Sequence, residues 1–435
     1  MYFLSSGYNQ YELADDQFRF IDNGGFNQIL ASEPTYSPSA SEKNALQRLS
    51  TIRDFQQRSI DLFRNALAGN VATPIKDWLL NDLAEGFREN YHLALDDRHY
   101  TVPMFFRTDE GSNGQILEIQ APGSLWGEAE VLSRLWMNQY PGSNIFQYSL
   151  SQRFVEVLQR THPEVECVQH LLDNASAQPG MRYFINCTRP KLRYYGYDRG
   201  VTVEDCQLVR SHSFYGLCAE DLFRTKLSRV GDGVYFDSPP HALFDQKACL
   251  VLPFWSLTRS YFDDSTRDIF PFTTPVLPSG VELPDGSQIS LEVFSSMPRS
   301  QRRFFLKYAG VDTNRNWGSR SVFRLSNFSK SQCISLLQRV TAGCGRKDIW
   351  LIQAESSAVG ATRFFNRDGS EEESQRLHVK YSSFFGPGYF LGAIAQYRKH
   401  YKVHGQPETI VAPLRGERFE PENSHSLNAG GGGPS

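Results

Sequence analysis

Cysteine is scarce in this chain: seven residues in 435, an odd number, and no C-x-x-C pair among them. That pattern argues against a disulfide framework and against a thiolate zinc site, and predicts buried thiols instead. A surplus of one charge is absent too. Lys and Arg number 45 against 48 Asp and Glu, a formal net charge of -3, which exerts no global pull on nucleic acid or an anionic membrane. Basic and aromatic residues interleave only in RSQRRFF and RPKLRYYGYDRG, too little for a nucleic-acid interface. No apolar run reaches the roughly 20 residues of a membrane span. The opening MYFLSSGYNQYELADDQF lacks the basic region and sustained apolar core of a signal peptide, so the expectation is a cytoplasmic globular protein. A Walker-type phosphate loop is also missing.

Periodicity gives the element order. From Ser39, which with Glu42 reads as a capping box, Leu46, Leu49, Ile52, Phe55, Phe63 and Leu67 recur at helical spacing until Gly69. A second helix is predicted around WLLNDLAEGFREN, and a third after Ser124, burying Leu125, Val131, Leu132, Leu135 and Trp136. Residues 145–240 alternate a helix (SQRFVEVLQR) with strand-like runs (MRYFINC, CQLVRSHSF), as in a small α/β unit. Beyond 240 the expectation is a strand (KACLVLPFW), a helix (SMPRSQRRFF), a strand (FFLKYAG), a polar loop, a helix (SKSQCISLLQRV) and a strand (DIWLIQAE). A loop carrying DGSEEESQ then leads to a final α/β stretch, and a Gly- and Ser-rich tail reads as disordered.

One segment raises a chemical question. In RTDEGSNGQILEIQ, Asn113-Gly114 signals a two-residue hairpin turn. Counting from it sets Glu110 opposite Leu117, Asp109 opposite Glu118, and Arg107 opposite Gln120. Because strand side chains alternate, Arg107, Asp109, Glu118 and Gln120 fall on one face. Opposed carboxylates repel unless a cation lies between them. Magnesium, held by one or two carboxylates plus substrate phosphates, suits Asp109, Glu118 and the amide oxygen of Gln120. Arg107 is placed for a phosphate or a carboxylate, and the helix that follows offers its N-terminal amides to the same anion. The alternative is a solvated hairpin tip with chance charges. Two strand lysines, Lys247 and Lys307, offer further cations, and the polar loop DTNRNWGSRSV after Lys307, with Arg315, Gly318, Ser319 and Arg320, reads as a lid over phosphates.

In their order along the chain these segments resemble the ATP-grasp ligases, specifically the circularly permuted branch that includes glutathionylspermidine synthase. Arg107-Thr108-Asp109 followed by LEIQAPGSLWGEA is similar to that branch's metal-binding strands, DQKACLVLPFW and FFLKYAGVDTNRNWGSRSV to its lysine strands and glycine loop, and WLIQAE to its adenine hinge. Gln120 stands where the family usually has asparagine, and the loop is poor in glycine. The resemblance implies an α+β fold of permuted ATP-grasp type. Its parts are an N-terminal helical segment (1–95), a metal-binding hairpin and helix (96–144), a small α/β pre-ATP-grasp unit (145–240), the lysine strands, lid and hinge (241–415), and a tail (416–435).

The resemblance further implies an ADP-forming ligase that joins a carboxylate to an amine or thiol through an acyl phosphate, using ATP and magnesium. Asp109, Glu118 and Gln120 would hold the metal. Lys247, Lys307, Gly318, Ser319, Gln353 and Glu355 would bind the nucleotide, and Arg107 and Arg398 would steady the substrate carboxylate or acyl phosphate. Its partners would be small-molecule or peptide carboxylates and amines, with neither nucleic acid nor membrane. An inactive nucleotide-binding interaction module is the competing expectation, motivated by Gln120 and the glycine-poor loop.

Overall fold

The computed structural model describes residues 28–37, 41–80, 98, 100–111, 113–120, 125–139, 149–171, 178–188, 193–195, 207–211, 229–237, 241–244, 246–310, 312, 315, 320–342, 348–356, 359–366, 370–403 and 408–415. The architecture is α+β, built on one large mixed sheet, two four-stranded sheets and a small hairpin. The large sheet contains β1 (Ile29–Leu30), β2 (Thr35–Tyr36), β3 (Phe106–Glu110), β4 (Ile116–Gln120), β15 (Val359–Phe365), β16 (Glu371–Gly386), β17 (Tyr389–Arg398) and β18 (Ile410–Arg415). Its order is β1-β18-β17-β16-β3-β4, with β15 pairing β16 and β2 pairing β18. Four parallel strands, β5 (Cys167–Leu171), β6 (Arg193–Tyr195), β7 (Leu208–Ser211) and β8 (Tyr235–Asp237), are ordered β6-β5-β7-β8. The antiparallel sheet β13-β12-β14-β9 comprises β9 (Thr273–Pro275), β12 (Phe304–Tyr308), β13 (Val322–Arg324) and β14 (Trp350–Ala354), while β10 (Val281–Glu282) and β11 (Gln288–Ile289) form the hairpin.

Helices cover these sheets. They are α1 (Glu42–Leu67), α2 (Thr73–Leu80), α3 (Trp126–Gln139), α4 (Leu150–Thr161), α5 (Gln178–Thr188), α6 (Asp264–Asp268), α7 (Leu291–Ser296) and α8 (Lys330–Ala342). Ser41, not Ser39, caps α1: its side chain accepts the Asn44 amide at 3.3 Å. The apolar stripe of α1 packs inward as its spacing predicts, through Leu49, Ile52, Phe55 and Phe63, whereas Leu46 is exposed. All five residues expected on the buried side of α3 are buried.

The antiparallel β12 sheet has two different faces. Leu306, Tyr308, Trp350 and Ile352 pack with α7 and α8 in an apolar cluster. Lys307 and Gln353, displaced by one residue in their strands, therefore point the other way, toward the large sheet. The large sheet is divided likewise: Leu377, Val379, Tyr381, Ala395 and Tyr397 form one apolar layer, leaving Lys380, Ser382 and Gln396 on the opposite face. A cleft between two sheets follows from these alternations.

Several local expectations are corrected. KACLVLPFW is not a strand but starts with a 3-10 turn over Ala248–Val251, since a short, wholly apolar run suits a buried turn as well as a buried strand. MRYFINC lies within α5, where Met181, Phe184 and Ile185 pack at helical spacing. In SMPRSQRRFF the helix ends at Ser296, ahead of Pro298. Most of DGSEEESQ belongs to β16 rather than a loop. Cys167 is disulfide-bonded, against the expectation of thiols throughout, while Cys187, Cys249 and Cys333 are thiols. The expected continuation of α2 over 81–90, the Ser124 cap and the tail lie outside the described residues. No helix among the described residues is long and apolar enough to cross a membrane.

Two helices, α3 and α5, approach closely at a pair of glycines. A Cβ on Gly127 would lie 2.1 Å from the Gly180 carbonyl oxygen, a backbone atom that cannot rotate away. Gly127→Ala should therefore force the helices apart and cost about 1–3 kcal/mol, read as a lowered midpoint in urea unfolding. An unchanged midpoint would mean that this crossing does not constrain the fold.

Candidate functional site

The hairpin β3–β4 pairs Arg107 with Gln120 and Asp109 with Glu118, the register that places all four on one face. Nearer the turn it departs from the expected count. Glu110 pairs with Ile116 across a bulge, and the connection closes through Gly111 N–H to the Gln115 carbonyl at 2.8 Å and Gly114 N–H to the Gly111 carbonyl at 2.9 Å. A bulge takes up one extra residue and restores the register beyond it. The two-residue turn is thus corrected, while the juxtaposition of Asp109 and Glu118 holds.

Cations fill the space around these carboxylates. Asp109 takes Arg107 Nε at 3.0 Å, Lys380 Nζ at 2.8 Å and the Ser382 hydroxyl at 2.9 Å. Glu118 Oε1 takes Lys247 Nζ at 2.9 Å and the Gln120 amide at 2.8 Å. Arg107 also donates to Oε1 of Gln120. Across the cleft, Lys307 Nζ donates to Oε1 of Gln353 at 2.6 Å, and the Gln353 amide donates to Thr273 Oγ1 at 3.2 Å and to the Leu117 carbonyl at 3.4 Å. Lys247 and Lys307, 60 positions apart along the chain, meet because the Lys247 N–H donates to the Ala309 carbonyl, two residues beyond Lys307, at 2.9 Å.

Burial and charge pull against each other here. Burial works to raise the Asp109 carboxyl, yet Arg107 and Lys380 hold it well below the usual carboxylate range. Glu118 is lowered in the same way, burial being outweighed by Lys247 and by hydrogen bonds from Gln120 and Lys247. Burial brings Lys307 down to about 8, with Glu118 and Asp109 opposing the fall and Lys247 and Lys380 adding to it. Glu128, in the first turn of α3, is raised by burial despite Arg107 nearby. With Lys307 protonated, and leaving aside Glu128, whose carboxyl burial raises, four cations (Arg107, Lys247, Lys307, Lys380) face two carboxylates (Asp109, Glu118), a local excess of +2.

Other expected site residues stand elsewhere. Arg398 is on β17, but its guanidinium is tied to the Lys402 carbonyl at 2.8 Å and to Glu408, so it does not reach the cluster. Glu355 receives Arg324 through two hydrogen bonds of 2.8 Å each, with Ser326 at 3.3 Å, so its carboxylate is occupied while Gln353 faces the cleft. Arg315 pairs with Asp348 and lies over the Tyr308 ring, 4.1 Å from its centroid, rather than reaching toward phosphates. Gly318 and Ser319 lie outside the described residues. Lys380 and Ser382 were missed by sequence reasoning although a signal was present: in LHVKYSS, polar His378, Lys380 and Ser382 alternate with apolar Leu377, Val379 and Tyr381.

Among the described residues no group of three or more His, Cys, Asp and Glu side chains gathers as a metal cage. The donor set suits magnesium more narrowly, as two facing carboxylates that share the coordination shell with substrate phosphates. Both carboxylates are already charge-matched by protein cations, so a divalent ion fits here only together with an anion. The amide oxygen of Gln120 is engaged by Arg107.

Because Lys307 carries one of the two excess positive charges, binding of a pyrophosphate probe should be strongest below about pH 8 and weaken as the pH rises through that value. Calorimetric titration across pH 6.5–9.5, roughly centred on that value, would read it. Lys307→Met should weaken binding and flatten the dependence in this range; an equally steep profile in the variant would place the titrating group elsewhere.

No protein-family model matches the chain, and no curated protein matches it. Among solved structures, a glutathione synthetase-like effector from Globodera pallida, in apo form, aligns with TM-score 0.48 at 13% identity over 92% of this chain and 95% of its own. A candidate gamma-glutamylcysteine synthetase from Methylobacillus flagellatus aligns with TM-score 0.39 at 9% identity over 76% of this chain and 84% of its own. At scores this low the functional reading rests on the site itself.

Proposed function

We propose that this protein is an ATP-dependent carboxylate ligase of ATP-grasp type, forming an amide or thioester bond through an acyl phosphate and releasing ADP. The observation that carries the reading is the convergence of Lys247, Lys307, Lys380 and Arg107 on Asp109 and Glu118 between the large mixed sheet and the antiparallel β12 sheet. A buried site with excess positive charge is a site for an anion, and paired carboxylates within it are a place for a divalent cation that accompanies a polyphosphate.

In this reading Asp109 and Glu118 would hold magnesium, which would supply charge neutralisation for the phosphates. Lys247, now paired with Glu118, and Lys307, now bonded to Gln353, are the two ammonium groups that would turn to phosphate oxygens. Phe305, directly opposite Gln353 in register on the β12 sheet face, stacks on Tyr401 at 5.7 Å between centroids and would offer an apolar surface to the nucleotide base. Arg107 and Lys380 stand at the hairpin end and stabilise the charge that develops as the γ-phosphoryl group passes to a substrate carboxylate oxygen. That phosphate is next displaced by the amine or thiol. No protein nucleophile takes part, so catalysis is positioning and charge stabilisation.

The test is ADP release by the full chain supplied with ATP, magnesium and pooled amino acids, γ-glutamylcysteine and spermidine. Glu118→Gln should reduce turnover by about two orders of magnitude or more, the scale on which removal of a single charge-stabilising group is felt. Some loss of thermal stability should accompany it, because Lys247 loses its partner. Near-normal turnover in the variant would remove Glu118 from the site. Nucleotide binding without acceptor-dependent release in the wild type would favour the interaction-module reading.

A further inference from the structure

The polar face of the large sheet continues past the charge cluster. Lys380 of β16 pairs in register with Gln396 of β17, Gln396 with Val411 of β18, and Val411 with Leu30 of β1. Cross-strand partners share a face, so this row leads from the ammonium that holds Asp109 into the apolar cluster of Leu30, Ile394 and Val411. Gln396 stands at the step between them. Its residue is 1% exposed, and neither Oε1 nor Nε2 has a hydrogen-bond partner. Gln246 also has both amide atoms unpartnered, but no register places it on this face.

A buried amide without partners destabilises the fold, since it leaves water and gains nothing in exchange. At this position an apolar side chain would pack better against Val411. The cost is offset if a ligand supplies both partners, and the cross-strand neighbour is a lysine already at the cluster. Arg398, next on the same face, is tied to Lys402 and Glu408 and leaves the position to Gln396.

We propose that Gln396 binds the carboxylate substrate of the ligase reaction, Nε2 donating to one carboxylate oxygen while Lys380 faces the other, and Oε1 accepting an N–H beside that carboxyl group. This inference rests on the ligase reading above. It assigns to Gln396 the substrate role that the sequence pointed to at Arg398, and it commits the substrate to an N–H donor near its reacting carboxylate. No bond forms or breaks at Gln396 itself.

Gln396→Leu and Gln396→Glu in the full chain test it, with magnesium and a non-hydrolysable ATP analogue as the nucleotide probe. The carboxylate probe is the pool of amino acids and γ-glutamylcysteine, assayed by ADP release in the presence of spermidine. Gln396→Leu should bind the nucleotide analogue with unchanged affinity and unfold at the same or a higher temperature. Its apparent KM for the pooled carboxylates should rise about tenfold or more, the loss of one well-made hydrogen bond, with kcat changing less. Gln396→Glu should raise KM further, because like charges then meet. An unaltered KM in Gln396→Leu overturns the inference alone, as does a protein that no longer folds, which would give the amide a structural role. Absence of acceptor-dependent ADP release in the wild type removes the ligase reading and this inference with it.

Discussion

Four cations held against two carboxylates in one buried cleft are the constraint on which the rest of this structure depends. Taking charge out of water is costly unless it is paired and hydrogen-bonded. Here Asp109 and Glu118 are each paired, but the cluster as a whole remains positive. Lys307 registers the imbalance most directly: its partner is the neutral amide of Gln353, and burial brings its pKa down to about 8. A polyphosphate anion would relieve that imbalance, and a divalent ion would permit the carboxylates to remain ionised as the lysines turn toward phosphate.

The fold can be understood as the means of bringing these groups together. Each sheet around the cleft spends one face on an apolar layer, Leu306, Tyr308, Trp350 and Ile352 in one and Val379, Tyr381, Ala395 and Tyr397 in the other. Period-two alternation then turns Lys307, Gln353, Lys380, Ser382 and Gln396 to the remaining faces. Two connections close the site: Gln353 to the Leu117 carbonyl across the sheets, and the Lys247 amide to Ala309. Functional polarity and apolar packing are thus carried by alternate residues of the same strands.

Much of this was legible in the sequence where a local rule was strong. The alternation of Arg107, Asp109, Glu118 and Gln120 around a turn signal was sufficient to place them on one face, even though the turn itself carries a bulge. The stripes of α1 and α3 packed as their spacing predicts, apart from Leu46 of α1, which is exposed. What failed was ambiguous by nature. The apolar run from Ala248 suits a turn or a strand, and MRYFINC, rich in β-branched and aromatic residues, became helix because its neighbours buried one helical face. Lys380 lies 271 residues from Asp109, and no local pattern announces a partner at that distance. Arg398 and Glu355 have suitable chemistry, but Glu408 and Arg324 occupy them, and only the folded chain reveals that.

The central claim is that this cleft binds a metal–polyphosphate complex, and anomalous diffraction from crystals grown with manganese and a non-hydrolysable ATP analogue tests it most directly. The account predicts a manganese peak between the carboxylates of Asp109 and Glu118, with phosphate oxygens in hydrogen-bonding reach of Lys247 and Lys307. Phosphates bound away from these lysines, or manganese bound without Asp109 and Glu118, would contradict it.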